Sequence, residues 1–376
     1  MLLLLDLDGT LIHDRGYRAA IDSTICRYAQ ENSLPVYPPY DDEVHLLHAH
    51  GYSNEWDSVA FLSGILHRAG YLGLMDRPDY ETWIRNTSEF QGLPNERARD
   101  LLLNESPSTL HGVIHTLLDN VTDVAHTPTT RLFAENILGS KLFSLHYGLP
   151  SVLNTSSLLQ ELDEPLIDSQ SRAIILAHRA CVFTARPSLP PGYQWMHSKN
   201  SLDADGTYLR TNRADGPAAS VPVHPPEAEI GLQLLGLENL PMIALGQMQW
   251  LADQYRERVY DLTKPSPVQA LAAMLLAAGI AEQDALHSAY DCYRKIGNPS
   301  EVEALDGEDV IVLEDNAAGL HACHLAKEMA GRSGIRLTVH GIGISSSPIK
   351  QAALKPYCER LYCDVNKALH DISPGL

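Results

Sequence analysis

The sequence predicts an α/β protein, a doubly wound parallel sheet interrupted early by a long all-helical insertion. Three observations lead there. Residues 2–5 are four consecutive leucines, closed by the turn signal Asp8-Gly9. An apolar run of that length without polar alternation suits a strand buried on both faces of a parallel sheet. From residue 17 to about 160, apolar residues recur at spacings of three and four with few β-branched stretches, which reads as helix. From about residue 168 onward, strand and helix patterns alternate, as a sheet wound on both sides requires.

Each element has its own signal. Residues 17–31 open the helical block, and 44–50, 56–69, 95–103, 108–119 and 130–147 continue it. In the second half, 168–178 reads as helix and 180–184 (ACVFT) as strand. The segment 188–226, with DADG, a second DG and several prolines, reads as loop-rich and mobile. Residues 226–237 predict a helix and 241–245 (PMIAL) a short strand. The helix at 265–278 starts among Pro265 and Pro267, which suit a first turn. Strands follow at 309–313 and 335–344, around a helix at 317–331. The core is therefore expected at 1–12 plus 165–376, and the helical domain at 13–164.

Composition narrows the partners. Of 376 residues, 28 are Lys or Arg and 47 are Asp or Glu, a formal net charge of −19. Such a surface repels nucleic acid phosphates and anionic lipid, so a small molecule is the expected partner. The six cysteines include no CxxC pair and are expected as reduced thiols. The opening MLLLL lacks a basic flank and is too short for a signal or a span, and no later apolar run reaches spanning length. The chain is expected to be soluble and cytoplasmic. Oligomeric state leaves no mark in the sequence.

Ligands of open α/β sheets bind outside the carboxyl ends of the strands. Four such ends carry chemistry. After the first strand come Asp6 and Asp8, followed by Gly9 for a sharp turn. Two acids at i and i+2 repel unless a cation or a proton sits between them, although an Asp-Gly turn with backbone-capping acids has the same spelling. After the second strand, the Thr184 hydroxyl with the backbone of Ala185 and Arg186 offers a small anion-binding corner, or, taken alone, simply a Thr that ends a strand. Lys264 stands at the entrance of a helix, placed to neutralise a phosphate or restrain a carboxylate, or merely solvated. Glu314 and Asp315 close the 309–313 strand and open a helix, which suits a hard cation such as Mg²⁺ or, alternatively, N-capping by Asp315.

Together these four stretches resemble the haloacid dehalogenase superfamily, in its phosphatase branch with a helical C1-type cap. The matching segments are DLDGT at 6–10, VFTARP at 182–187, TKPSP at 263–267 and VLEDNAAGL at 312–320. The resemblance implies a Rossmann-like core with an inserted cap, and a Mg²⁺-dependent phosphohydrolase acting on a small phosphorylated metabolite. It implies that Asp6 is the nucleophile and Asp8 the general acid/base, that Thr184 binds the transferring phosphoryl group, and that Lys264 steadies it. Asp315 would ligate Mg²⁺ together with Asp6 and Asp8, with Glu314 on the metal or on its waters. A phosphomutase shares the same core, and a non-catalytic binding module is the remaining alternative. A dehalogenase leaves Asp8 without a role, and a Schiff-base phosphonatase would need a cap lysine where the insertion offers Lys141.

A looser resemblance covers GYRAAIDSTI at 16–25, GYSNEWDS at 51–58 and FAENILGSKLF at 133–143, similar to a little-characterised branch of capped hydrolases. In that insertion Arg18, Asn54, Trp56 and Asp57 are the candidates for contacting substrate. Arg18 also reads as an exposed helix residue, and Asn54 with Trp56 as a capped helix start with a buried ring. His45, His48 and His50, and His321, Cys323 and His324, have the look of zinc ligands, but helical geometry puts only two of each set on one face.

Overall fold

Parallel strands buried on both faces need apolar side chains at every position, and the sheet is built from such strands. The computed structural model describes residues 1–376 apart from 53, 198–205, 211–223, 298 and 373–376. The chain divides into two units, Met1–Asp14 with Asp163–Leu376, and Arg15–Leu162.

The first unit holds β1 (Leu2–Leu5), β2 (Ala180–Phe183), β3 (Met242–Ile243), β4 (Asp309–Glu314), β5 (Thr338–Ile344) and β6 (Arg360–Tyr362). Their order across the sheet is β6-β5-β4-β1-β2-β3, with every pairing parallel. The leucine run is thus an interior strand, with Leu3 opposite both Ala180 and Ile311. Leu2 and Leu4 join one hydrophobic core with Phe183 and Val312, and Leu3 and Leu5 join the other with Val182 and Leu313. Each leucine so buried stabilises the fold by about 2 kcal/mol. Helices Pro267–Ala277, Glu282–Arg294 and Ala317–Arg332 cover the first face; Ser169–Leu176, Glu227–Leu235 and Val365–Ile372 cover the second. The core is therefore a doubly wound, Rossmann-like α/β sheet. The chain leaves β1 for β2 on one side and later reaches β4 on the other, so a crevice opens beyond the carboxyl ends of β1 and β4.

Several boundaries differ from the sequence reading. Ile12–His13 pairs antiparallel with Glu164–Pro165. This small ladder keeps both connecting segments with the first unit, which runs to Asp14 and resumes at Asp163 rather than ending at 12 and resuming at 165. The third strand is only Met242–Ile243, and the fifth starts at Thr338. Helices Leu245–Tyr255 and Glu282–Arg294 go beyond the elements read from sequence. Within the expected loop at 188–226, Tyr193–His197 and Gly206–Arg210 form an antiparallel ladder. The rest of that expectation, at 198–205 and 211–223, lies outside the described residues.

The second unit is helical throughout its regular structure, from Arg15–Glu31 to Leu158–Leu162. The expected helix at 130–147 is two helices, Pro128–Leu138 and Ser140–Tyr147. Gly139 separates them at φ +76, and a Cβ there would lie 2.6 Å from the backbone nitrogen of Ser157. Apolar periodicity continues across this break, so the spacing alone hides it. Glu135, fully buried, accepts hydrogen bonds from Ser140 Oγ at 2.6 Å and from the N–H groups of Val152 and Leu153 at 2.9 Å. Among the described residues, no helix is long and apolar enough to cross a membrane.

Candidate active site

The carboxyl ends of β1 and β4 bring the acids together. Asp6 continues β1, its N–H donating to the Leu313 carbonyl at 3.0 Å, and its side chain is buried. The chain then turns tightly: Gly9 N–H donates to Ile12 O at 2.8 Å, and Leu11 and Ile12 both donate to Leu7 O at 2.9 Å. Gly9 sits at φ +72, and a Cβ there would fall 2.2 Å from Asp315 Oδ2. Glycine is needed both for the left-handed backbone and for the close approach of the acid.

Across the crevice, β4 ends at Glu314 and Asp315 follows. The helix beyond is capped by Asn316, whose side chain accepts from Ala318 N–H at 2.9 Å. Capping therefore falls to Asn316, and Asp315 is left to face Asp6. Gly319 makes room for Glu314, since a Cβ there would lie 1.8 Å from Glu314 Oε2. Asp6, Glu314 and Asp315 each offer a carboxylate oxygen within 4.8 Å of the others, and all three are buried. A buried, all-oxygen donor set of this kind fits a hard divalent cation such as Mg²⁺.

Two lysines hold this charge. Lys264 Nζ donates to Asp6 Oδ1 and Glu314 Oε2, both at 2.7 Å, and lies 3.9 Å from the Phe183 ring centroid. Its loop is fixed by Gln269, which accepts from Lys264 N–H at 3.1 Å and donates to Thr184 O at 2.8 Å and Ile243 O at 3.2 Å. Lys350, on the helix Pro348–Leu354, pairs with Asp315 Oδ2. Burial pushes the Glu314 carboxyl well above its ordinary range, with Asp6 adding to the rise and Lys264 opposing it. Burial also raises Asp315, to about 6, against the pull of Lys350. Burial works against the Lys264 ammonium, but Asp6 and Glu314 outweigh it and hold its pKa above the usual value.

Asp8 faces a different partner. Arg186 Nε donates to Asp8 Oδ1 at 2.7 Å and Oδ2 at 2.9 Å, while Arg186 Nη2 reaches both Asp8 and, at 2.8 Å, Asp163 Oδ2. The Asp8 carboxylate is engaged by this guanidinium and is not one of the three carboxylates that gather at Asp6, Glu314 and Asp315. Burial pushes Asp8 up to about 7, with Arg186 pulling the other way. The side chain keeps 29% of its surface open, which tempers that rise. Arg186 is likewise not available to substrate through the edge it gives Asp8. Its N–H donates to Thr184 Oγ1 at 3.2 Å, so Thr184, itself buried, is oriented from the same residue. Ala185, between them, is exposed.

The candidates in the helical unit have local employment. Arg18 donates to Asp41 at 2.8 Å, to Asp22 at 2.5 Å and to Pro39 O at 2.8 Å. Asn54 caps the helix Glu55–Tyr71 through Trp56 N–H at 3.0 Å. Trp56 and Asp57 are buried in that helix's first turns. For Asn54 and Trp56 this matches the capped helix start with a buried ring that the sequence also offered, whereas Arg18 is half-buried between two acids and not an exposed helix residue. Of the histidines, His50 bonds Ser88 Oγ at 3.0 Å, His324 bonds Tyr357 O at 2.9 Å, and His321 stacks on Tyr357. Neither set gathers as a metal cluster among the described residues.

Asp163, Gln269 and Lys350 belong to the site but carry no sequence signal of their own. Each is a lone polar residue that works with a partner far away in the chain, although Gln269 also holds Lys264 five residues before it.

No protein-family model matches the sequence, and no curated protein matches it. Solved structures do. An X-ray structure of the Northeast Structural Genomics Consortium target ZR25 aligns over 98% of both chains at TM-score 0.57 and 11% identity. A phosphatase, Tt82 from Thermococcus thioreducens, aligns over 100% of both chains at TM-score 0.42 and 13% identity. A hydrolase from Pseudomonas syringae aligns over 100% of this chain and 98% of its own at TM-score 0.35 and 13% identity. At 11% identity the first likeness speaks to fold alone. The other two superpose too loosely to bear on fold or chemistry.

Proposed function

We propose that this chain is a Mg²⁺-dependent phosphohydrolase, acting on a small phosphorylated metabolite through an aspartyl-phosphate formed on Asp6. One observation carries the reading: a buried trio of carboxylates, Asp6, Glu314 and Asp315, shares its charge with Lys264 where two adjacent parallel strands end. Asp6 and Glu314 and Asp315 would hold Mg²⁺, which when bound supplies charge neutralisation between an anionic ester and the carboxylates.

The chain's own groups support the rest. Phosphoryl transfer asks mainly for placement and charge compensation. An Asp6 oxygen attacks phosphorus as the ester P–O bond breaks, and Asp8 gives its proton to the leaving oxygen. Water then attacks phosphorus, the aspartyl O–P bond breaks, and the water proton returns to Asp8. Lys264 offsets the added negative charge beside Asp6. The Thr184 hydroxyl and Ala185, which follow β2 beside β1, suit phosphoryl oxygens. These local cations draw an anion to a protein whose net charge is −19.

The test is a panel of phosphomonoesters with Mg²⁺, reading released phosphate and dephosphorylated product. The two should appear in equal amounts, and Asp6→Asn or chelation of the metal should lower turnover by several orders of magnitude. An isomeric phosphate ester accumulating without free phosphate would convert the reading to a mutase. Full turnover in folded Asp6→Asn would refute it.

A further inference from the structure

Arg186 is a buried arginine with a carboxylate on each side. Its side chain and that of Asp163 are each 1% exposed, whereas Asp8 is 29% exposed. An arginine is rarely buried so fully unless it is paired. Here Asp163 binds Nη2 from inside the protein, and the Nε edge is left to grip both oxygens of Asp8. A fork that donates to both oxygens of one carboxylate fixes its plane, which a lysine at the same place does not do. Arg186 also reaches two site segments at once, since its N–H holds Thr184 Oγ1. Gly231 packs beside the guanidinium, where a Cβ would meet Nη1 at 3.3 Å. An aspartate at a strand end with open solvent on one side would otherwise turn freely about its side-chain bonds.

We propose that Asp163 and Arg186 form a positioning pair for the proton-transfer step: Asp163 anchors the guanidinium, and the guanidinium aims the Asp8 carboxyl at the leaving oxygen and then at the attacking water. The inference rests on the phosphohydrolase reading. Neither residue touches the reacting phosphorus. Asp163 acts through Arg186, and Arg186 acts through Asp8. A displaced acid loses proton transfer while leaving ester binding and in-line attack intact.

Leaving-group chemistry separates this role from a general loss of structure. An alkyl phosphate needs a proton on its departing oxygen, and 4-nitrophenyl phosphate does not. In Asp163→Ala, kcat on the alkyl ester should fall about 10- to 100-fold with KM changed less than about threefold. On the nitrophenyl ester the first step should survive while the second, which needs Asp8 to accept a proton, slows. Rapid mixing should then show a burst of nitrophenolate equal to the enzyme present, where wild type shows a smaller one or none. Asp163→Asn, which keeps an acceptor oxygen, should recover part of the alkyl-ester rate. Arg186→Lys, which keeps the charge and loses the fork, should reproduce the burst if Asp163→Ala fails to fold. Equal losses on both esters without a burst, or wild-type kinetics in folded variants, would overturn the positioning role while leaving the phosphohydrolase reading standing. A wild type that turns over neither ester nor any other phosphomonoester overturns that reading and the positioning role with it.

Discussion

Asp57 is buried to 2% exposure in the first turns of the helix Glu55–Tyr71, and its Oδ1 has no hydrogen-bond partner among the described residues. Burial alone pushes its carboxyl from 3.8 up to about 7. The sign of the linkage follows. An acid whose folded pKa lies above its unfolded value holds its proton longer in the fold, so it favours folding least at high pH. Stability is lost as the pH rises from about 4 through about 7, and is constant above that. At about 1.36 kcal/mol per pH unit, the ionised unfolded chain gains about 4 kcal/mol over the fold by pH 8, and about 1.5 kcal/mol at pH 5. Asp57→Asn removes this penalty and keeps the shape. Its effect on melting temperature should therefore be more favourable at pH 8 than at pH 5 by roughly 2.5 kcal/mol, on the order of 5–10 °C for a unit of this size. Calorimetric melts of both proteins at the two pH values make the comparison, and any fixed cost of burying the amide cancels in the difference. A shift independent of pH would show that Asp57 is ionised and paired in the fold, and would refute the argument. Unchanged kcat/KM in the same variant would confirm that Asp57 serves the helix rather than a substrate.

Two further predictions concern the carboxylate cluster. Gly319→Ala puts a methyl group onto Glu314, so half-saturation by Mg²⁺ should rise at least tenfold with little change in melting temperature; unaltered metal dependence would show that Glu314 can move away at no cost to the site. Lys350→Met removes an ammonium that pairs with Asp315, so Mg²⁺ should bind severalfold more tightly by calorimetric titration, and weaker binding would mean that Lys350 orders the ligand instead of competing for it.

What the sequence made legible was local. Asp6 with Asp8, Thr184, Lys264, and Glu314 with Asp315 are each defined by the residues beside them and by the strand that ends there, and the structure puts all four segments at one edge of the sheet. Asp163 and Lys350 depend on partners 23 and 35 residues away, Arg186 and Asp315, and Gln269 ties Lys264 beside it to Thr184, 85 residues away; a single sequence does not encode distance in space. Periodicity carried the helical unit, but it ran through Gly139, where backbone conformation and not side-chain pattern breaks the helix. Arg18 and Asn54 were chemically suggestive because the same polar groups that bind ligands also pair with neighbouring acids and cap helices. Only geometry separates those uses.

The place of β1 in the sheet has a consequence for how the protein comes into being. Leu3 pairs with Ala180 on one side and Ile311 on the other, so β1 leaves the ribosome long before either neighbour exists. At roughly 5–20 residues per second, the delay amounts to tens of seconds. During that time the helical unit, which is contiguous in the chain at Arg15–Leu162, has all its own contacts available, while four leucines and the two aspartates behind them wait in the open. Contacts of such long sequence separation form late because closing the loops must come first. A nascent chain stalled before residue 180 should hold an ordered helical block and a leucine strand with neither of its sheet partners, Ala180–Phe183 and Asp309–Glu314, the kind of segment that chaperones bind.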